Sequence, residues 1–508
     1  MSPALAEALA ELPALIRAHL LVSGCAVAIG VVIGLPLAIW SARNRRVRTP
    51  VLGLAGLIQT VPALALLALF YPALLILARA TGWPIPALGF LPALIALTLY
   101  ALLPIVRNGV AALQGIDPAV LEAADGIGMT ARQRLTVVEL PLGAPVILAG
   151  IRTAAVWTIG AATLATTVGQ PSLGNLIFSG LQTENWVRVL VGCAAAAFLA
   201  LAVDGLLALI ESGLSRRSLW RIRTGLGGLA AALALALLPA SGSGETLVIG
   251  AKNFSEQYIL ASAIERRLQA AGYRTARRDN LGSTVAYQAL AAGDIDVYVD
   301  YSGTLWANIL RRTDTPPPAA MRAALTAELR RRDGVLLIGA LGFENAYALA
   351  MRRPRAEALG LRTLDDLAAA APRLVLGADL EFLTRPEWRA VRDRYGLSFA
   401  GQRSYSPTFM YRAVADGSAD VITAFSSDGR VAALDLVTLA DPRRALPSYD
   451  AVLLVAPGHA RDRRLIGALR PLIGAIPVAR MRRANLMVDR DADKRTPDEA
   501  ARWLDPAP

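Results

Sequence analysis

The chain has 508 residues, 55% of them hydrophobic and 18% charged, with a formal net charge of +12. Its length admits two or three domains, and a composition this apolar excludes a wholly soluble protein. The positive charge lies in short arginine clusters between apolar runs rather than in one aromatic-interleaved patch, which excludes a nucleic-acid-binding protein and leaves no nucleic-acid partner to expect.

Lys252 and Lys494 are the only lysines, so nearly all the basic residues are arginine. Cys25 and Cys193 both fall inside apolar runs, and His19 and His459 are the only histidines. A disulfide framework, a cysteine zinc site, a histidine-based catalytic triad or a multi-histidine metal centre therefore has nothing to be built from. The expectation is no catalytic residue, no metal and no cofactor.

The first half consists of apolar runs of membrane-spanning length: Leu20 to Trp40, Val51 to Ala80, Ala87 to Val106, Val146 to Val168 and Val187 to Ile210. Each is long enough for ~30 Å of hydrocarbon, which takes ~20 helical residues. Prolines and glycines within them, such as Gly34, Pro36, Pro62 and Pro104, are tolerated where neighbouring helices re-satisfy the backbone, so the runs predict a bundle. Arginines concentrate on the cytoplasmic side of short loops. Arg43, Arg45, Arg46 and Arg48 after the first run, and Arg216, Arg217, Arg221 and Arg223 after the fifth, place those loops inside and 107–145 inside with them. The apolar run 225–240 then reads as a sixth span or an internal signal-like segment, and Ser241 to Gly244 as a small, polar linker.

From Thr246 the composition becomes that of an α/β domain. Strand-like runs at Leu247–Gly250, Val297–Val299, Val335–Ile338, Tyr347–Ala350, Leu374–Leu376, Val421–Ala424 and Ala451–Val455 alternate with helical stretches. The alternation predicts open, mostly parallel sheets covered by helices, in two lobes. The organisation expected is a transmembrane domain at 1–224, a last span or linker at 225–245, and a soluble domain at 246–508, with lobe 1 at 246–340 and 447–508 and lobe 2 at 342–446.

Between the third and fourth runs stand Glu122, Ala123 and Ala124, then Gly128, then Val138, Leu140 and Pro141. The spacing asks for a helix, a glycine-permitted turn and a second helix in a cytoplasmic loop at 117–141. It resembles the coupling loop of the permeases of ABC importers. The stretch from Glu139 through Gly150-Ile151-Arg152-Thr153-Ala154 to Leu164 is similar to their osmoprotectant branch. The resemblance implies a homodimer served by two copies of an ATPase. No phosphate-binding G-x-x-x-x-G-K-[ST] sequence occurs in the chain, so that ATPase is a separate polypeptide.

In the soluble half, Lys252 ends a strand just ahead of a helix beginning at Ser255, where ligands of open α/β sheets bind. The run Gly250 to Leu260, then Gly293 to Tyr298, Asp300 to Thr304, Gly342 to Leu349, Leu376 to Asp379, Glu381 to Pro386 and Ala424 to Arg430 resemble glycine betaine and choline binding proteins. A trimethylammonium group donates no hydrogen bond and is held by aromatic faces. The resemblance assigns that cage to Tyr301, Tyr347 and Tyr411, with Tyr405 an alternative to Tyr411. It assigns the ligand's carboxylate to Lys252, Thr304 and Arg385, with Asn345 and Glu381 orienting them. Threonine at 304, where choline-preferring relatives tend to be acidic, favours a zwitterion.

The whole reads as the permease and binding subunit of an importer of glycine betaine or a related betaine, not an enzyme. It is expected in a bacterial cytoplasmic membrane with the binding domain outside. Choline, carnitine or ergothioneine as the solute, or a tethered sensor without transport, are the alternatives.

Overall fold

The computed structural model describes residues 3–83, 85–237, 246–490 and 492–506. The chain divides into a helical unit, built from 5–178 and 187–237, and a second unit, the α/β fold from 246 onward together with 3–4 and 179–186. The expected linker at 241–244 lies outside the described residues.

In the helical unit four helices are long and apolar enough to cross a membrane: Ala4–Arg43, Phe90–Gln114, Ala131–Val168 and Trp186–Ser215. The run 51–80, expected as one span, is two helices, Arg45–Thr60 and Ala63–Ala78, bent by 100°. Pro62 is the cause. It disfavours helical geometry at the residue before it, and Val61 sits at φ −72, ψ 126. Counted as one broken span, the pair brings the described total to five rather than about six. The sixth candidate, the helix Leu219–Leu237, opens with Arg221 and Arg223 in its first turns and is not among the helices long and apolar enough.

Small residues allow these helices close approach. Gly150 on the helix Leu140–Ala162 lies so near Asn108 and the Pro104 carbonyl that an added Cβ would meet the Asn108 Cβ at 2.5 Å. His19 ties three segments together: its Nε2 lies 2.9 Å from the Ile159 carbonyl, and its Nδ1 accepts from the Leu173 amide at 3.3 Å.

The α/β unit holds two five-stranded sheets. Its strands are β1 (Thr246–Lys252), β2 (Arg274–Leu281), β3 (Val297–Tyr301), β4 (Leu336–Glu344), β5 (Tyr347–Arg352), β6 (Val375–Asp379), β7 (Gly401–Tyr405), β8 (Val421–Phe425), β9 (Leu436–Thr438) and β10 (Asp450–Val455). The first sheet runs β2-β1-β3-β10-β4 and the second β7-β6-β8-β5-β9.

The sheets are mixed rather than mostly parallel. β1 pairs in parallel with β2 and β3, and β6 with β7 and β8, but β10 is antiparallel to β3 and β4 and β5 antiparallel to β8 and β9. The reason lies in the connectivity. β5 is entered directly from the first sheet and β10 returns directly from the second, so neither follows the crossover helix that a parallel neighbour requires. Two lobes joined by two chain crossings result. β10 is buried along Ala451–Val455 and forms the centre of the first lobe's core.

Candidate functional site

The residues that matter in the soluble unit sit where strands end. β1 ends at Lys252 and leads through Phe254 into the helix Ser255–Ala270. β3 ends at Tyr301, and the turn of helix that follows places Thr304. Asn345 stands in the crossing between β4 and β5, and Tyr347 opens β5. β6 ends at Asp379, whose Oδ1 accepts from the Phe382 amide at 2.8 Å and caps the helix carrying Glu381. Arg385 stands just ahead of the helix Pro386–Tyr395. Tyr405 ends β7, Phe425 ends β8, and Tyr449 precedes β10.

These strand ends surround one cavity of about 350 Å³ between the lobes, within the size range of small-molecule sites. Lys252, Tyr301, Thr304, Tyr347, Arg385, Asn345 and Glu381, all expected, line it. Tyr411 does not. It is 1% exposed in the core of the second lobe, its hydroxyl accepts from the Phe425 amide at 3.1 Å, and the Arg430 guanidinium covers its ring at 4.1 Å. Tyr405 lines the cavity instead. Tyr411 lies within the helix Pro407–Ala415, packed on the sheet, whereas Tyr405 is the last residue of a strand.

Three rings in the lining were not anticipated: Phe254, Phe425 and Tyr449. Phe254 and Phe425 stand at strand ends inside the motifs quoted above, so their position was a usable signal; Tyr449 has none. Tyr347 is the hub, with ring centroids 5.0 Å from Phe425, 5.5 Å from Tyr449 edge-on and 4.7 Å from Phe382. Phe254 links Tyr301 and Phe425 at 6.2 and 6.4 Å. Burial pushes the Tyr301, Tyr347 and Tyr449 phenols well above their ordinary value, so all three stay neutral.

The two cations differ. Lys252, 2% exposed, already pairs with fully buried Asp300, whose other oxygen accepts from the Tyr298 hydroxyl at 2.6 Å. Its charge is answered within the protein. Arg385 gives one firm bond, Nη2 to Glu381 at 2.6 Å, and only long ones, 3.4 to 3.5 Å, to Glu387 and Thr304. Its Nε has no partner among the described residues. Arg385 thus keeps donors for an incoming carboxylate. Asp379 lines the same cavity with its Oδ2 unpartnered among the described residues, and burial raises its carboxyl to about 6.

In the helical unit the segment from Glu122 to Pro141 has the helix, turn and helix its spacing asked for. Asp117 caps the helix Pro118–Gly126, Gly128 turns at φ +78, and Thr130 forms a capping box with Gln133 at the start of the next helix. Glu122 and Ala123 are exposed and Ala124 is buried, beside exposed Val120 and Ile127. Leu140 and Pro141 open the long helix that follows. Glu139, just before it, is 6% exposed and takes Arg43 at 3.2 Å and Arg134 at 2.9 Å, while Arg134 also holds Asp125 at 2.6 Å.

Residues 245–505 match the family described as the substrate binding domain of ABC-type glycine betaine transport systems. The chain belongs to this family. Residues 30–216 match the binding-protein-dependent transport system inner membrane component, so permease and binding domain share one polypeptide. Over 444 residues the chain is 28% identical to the ergothioneine transport permease/ergothioneine binding protein of Helicobacter pylori, covering 84% of this chain and 77% of that one. Its membrane half is 37% identical to the choline transport system permease protein of Bacillus subtilis, covering 40% of this chain and 89% of the relative. With the osmoprotectant import permease protein of Salmonella typhimurium the identity is 40%, over 37% of this chain and 85% of the relative. This is a multi-pass permease fused to the binding domain of an osmoprotectant-type ABC importer, and a transport subunit rather than an enzyme.

Proposed function

We propose that the fusion imports a betaine, a carboxylate bearing a quaternary ammonium group. The observation that carries the reading is that six aromatic rings, Phe254, Tyr301, Tyr347, Tyr405, Phe425 and Tyr449, line the same cavity as Arg385. Rings attract an ammonium that cannot hydrogen-bond, and an arginine with donors to spare takes the other end. Since Lys252 is matched by Asp300, and Arg385 in part by Glu381, a simple anion gains little here and a zwitterion gains at both ends.

Glycine betaine is the simplest such ligand, and carnitine and ergothioneine share its two ends. Ergothioneine has specific support from the relative of the same fused architecture and from Asp379, an acceptor in the lining suited to a ring N–H. Choline lacks the carboxylate that Arg385 would take.

In this reading the chain works as a homodimer in a bacterial cytoplasmic membrane, with the binding domain outside and two copies of a separate ATPase inside. Lobe closure on the ligand is followed by docking on the permease. The ATPase meets the loop around Glu122, where Ala123 adds little bulk and Val120 and Ile127 offer exposed apolar surface.

The test is calorimetric titration of the detergent-solubilised full chain with glycine betaine, choline, carnitine and ergothioneine, beside Tyr301→Ala. Binding of one betaine that the variant abolishes is expected. Binding of none would leave an importer with some other class of solute.

A further inference from the structure

Behind the cage lies a carboxylate with no positive charge to answer it. Glu256, in the first turn of the helix after β1, is 3% exposed and does not line the large cavity. Its hydrogen bonds come from neutral donors, the Tyr301 hydroxyl at 2.6 Å and the Asn345 amide at 3.0 Å on Oε1 and the Asn485 amide at 2.8 Å on Oε2, with the Ser427 side chain also beside it; burial pushes the carboxyl up and these groups pull it back toward the ionised form. Among the described residues it forms no ion pair. A buried charge without a counter-charge is costly; every other carboxylate close to the cavity's rim has a cation beside it or caps a helix through its own side chain, whereas Glu256 has only the N-terminal turn of the helix it stands in. Asp300 has Lys252, Glu381 and Glu387 have Arg385, and Asp379 caps a helix.

The Tyr301 hydroxyl connects this carboxylate to the cavity. It donates to Glu256 while receiving the Gln257 side-chain amide at 2.9 Å, so both its direction and the ring's orientation are set. A phenol donating to a carboxylate has its oxygen, and through it the ring, made more electron-rich, which strengthens the negative face that attracts a cation.

We propose that Glu256 is the buried counter-charge of the ligand's quaternary ammonium group and acts on it through Tyr301. It is a positioning residue that never touches the ligand. The neighbouring charged groups leave this role to it: Lys252, 5.1 Å from the Tyr301 ring centroid, is held by Asp300, and Asp428, Arg430 and Asp489 pair among themselves in the small adjoining space. Asn345, in the crossing between lobes, and Asn485, near the C-terminus, hold Glu256 from opposite sides and fix the carboxylate behind the ring. The inference rests on the betaine reading above.

The experiment compares, in the full chain, the tightest-binding of glycine betaine, choline, carnitine and ergothioneine with its tert-butyl analogue, in which carbon replaces the ammonium nitrogen and shape is kept. The analogue is followed by displacement. Glu256→Gln is expected to weaken the quaternary ammonium ligand about tenfold and the analogue less than about twofold. Tyr301→Phe, which keeps the ring and cuts its link to the carboxylate, is expected to show the same selectivity to a smaller degree, and it serves if Glu256→Gln does not fold. Equal losses for ligand and analogue would mean a purely structural role and overturn the proposal, as would no loss for either. A wild-type chain that binds no quaternary ammonium compound would overturn the betaine reading together with it.

Discussion

The helical unit and the α/β unit treat charged side chains in opposite ways. In the membrane half three sets of charged groups are answered by others of the same unit. Arg152 holds Asp204 through two bonds of 2.9 Å and Glu211 at 2.6 Å, Arg188 is taken by Glu7 and Glu11, and Glu139 is shared between Arg43 and Arg134. Around the cavity of the α/β unit the accounts stay open: among the described residues Arg385 retains an unused donor, Asp379 an unused acceptor, and Glu256 forms no ion pair. Closed sets hold helices in register where lipid supplies no alternative partner. Open ones stand where a zwitterion would close them.

The comparison is broken most severely by opening a closed set. Glu139→Ala removes the carboxylate that Arg43 and Arg134 share and leaves Arg134 with Asp125 alone. The expected result is loss of ATP-driven uptake in proteoliposomes holding the ATPase, with ligand affinity unchanged by titration. Removing an open partner acts on binding instead. Arg385→Gln should cost a carboxylate-bearing ligand about a hundredfold in affinity, ~3 kcal/mol, and choline much less.

Smaller effects separate the two tyrosines. Tyr405→Ala should weaken a betaine by ~0.5–2 kcal/mol, as one ring of a cage. Tyr411→Phe should leave affinity alone and lower the unfolding free energy by ~1 kcal/mol, through the hydrogen bond lost from the Phe425 amide. A further effect is one of pH. Asp379 takes up its proton at about 6 in the folded domain, with Glu381 raising and Arg385 lowering that value, whereas an unfolded aspartate does so near ~3.9. Between those values folding binds a proton, so this residue adds stability as pH falls from 7 to 5. Thermal unfolding across that range should show the trend in the wild type and a flatter one in Asp379→Asn.

The sequence disclosed the parts whose physics is local. The turn at Gly128 needs a residue that accepts positive φ, and the runs β1, β3, β8 and β10 are apolar because they are buried on both faces. β2 and β7 were missed because they are edge strands, and Arg274–Leu281 and Gly401–Tyr405 carry charged and polar side chains as edges do. β9 is only three residues long. The site was legible as a set of strand ends, but not as electrostatics. Lys252 stands where it was placed, yet its partner Asp300 is 48 residues away, and no spacing rule says whether a strand-end lysine meets a ligand or a neighbour. Tyr411 was misplaced because resemblance gave a tyrosine in the right region without the register that turns it toward the core.

The late interior strand of the first lobe has a consequence for how the protein is made. β10 lies between β3 and β4, with more than a hundred residues separating it in sequence from either. On the ribosome it emerges after the membrane helices and the whole second lobe, so the first sheet waits with an interior strand missing. A message truncated before Asp450 therefore yields a complete set of permease helices and a receptor that cannot close its own core. Because permease and receptor share one polypeptide, a finished receptor exists only where a full set of permease helices has been made with it, in one-to-one proportion.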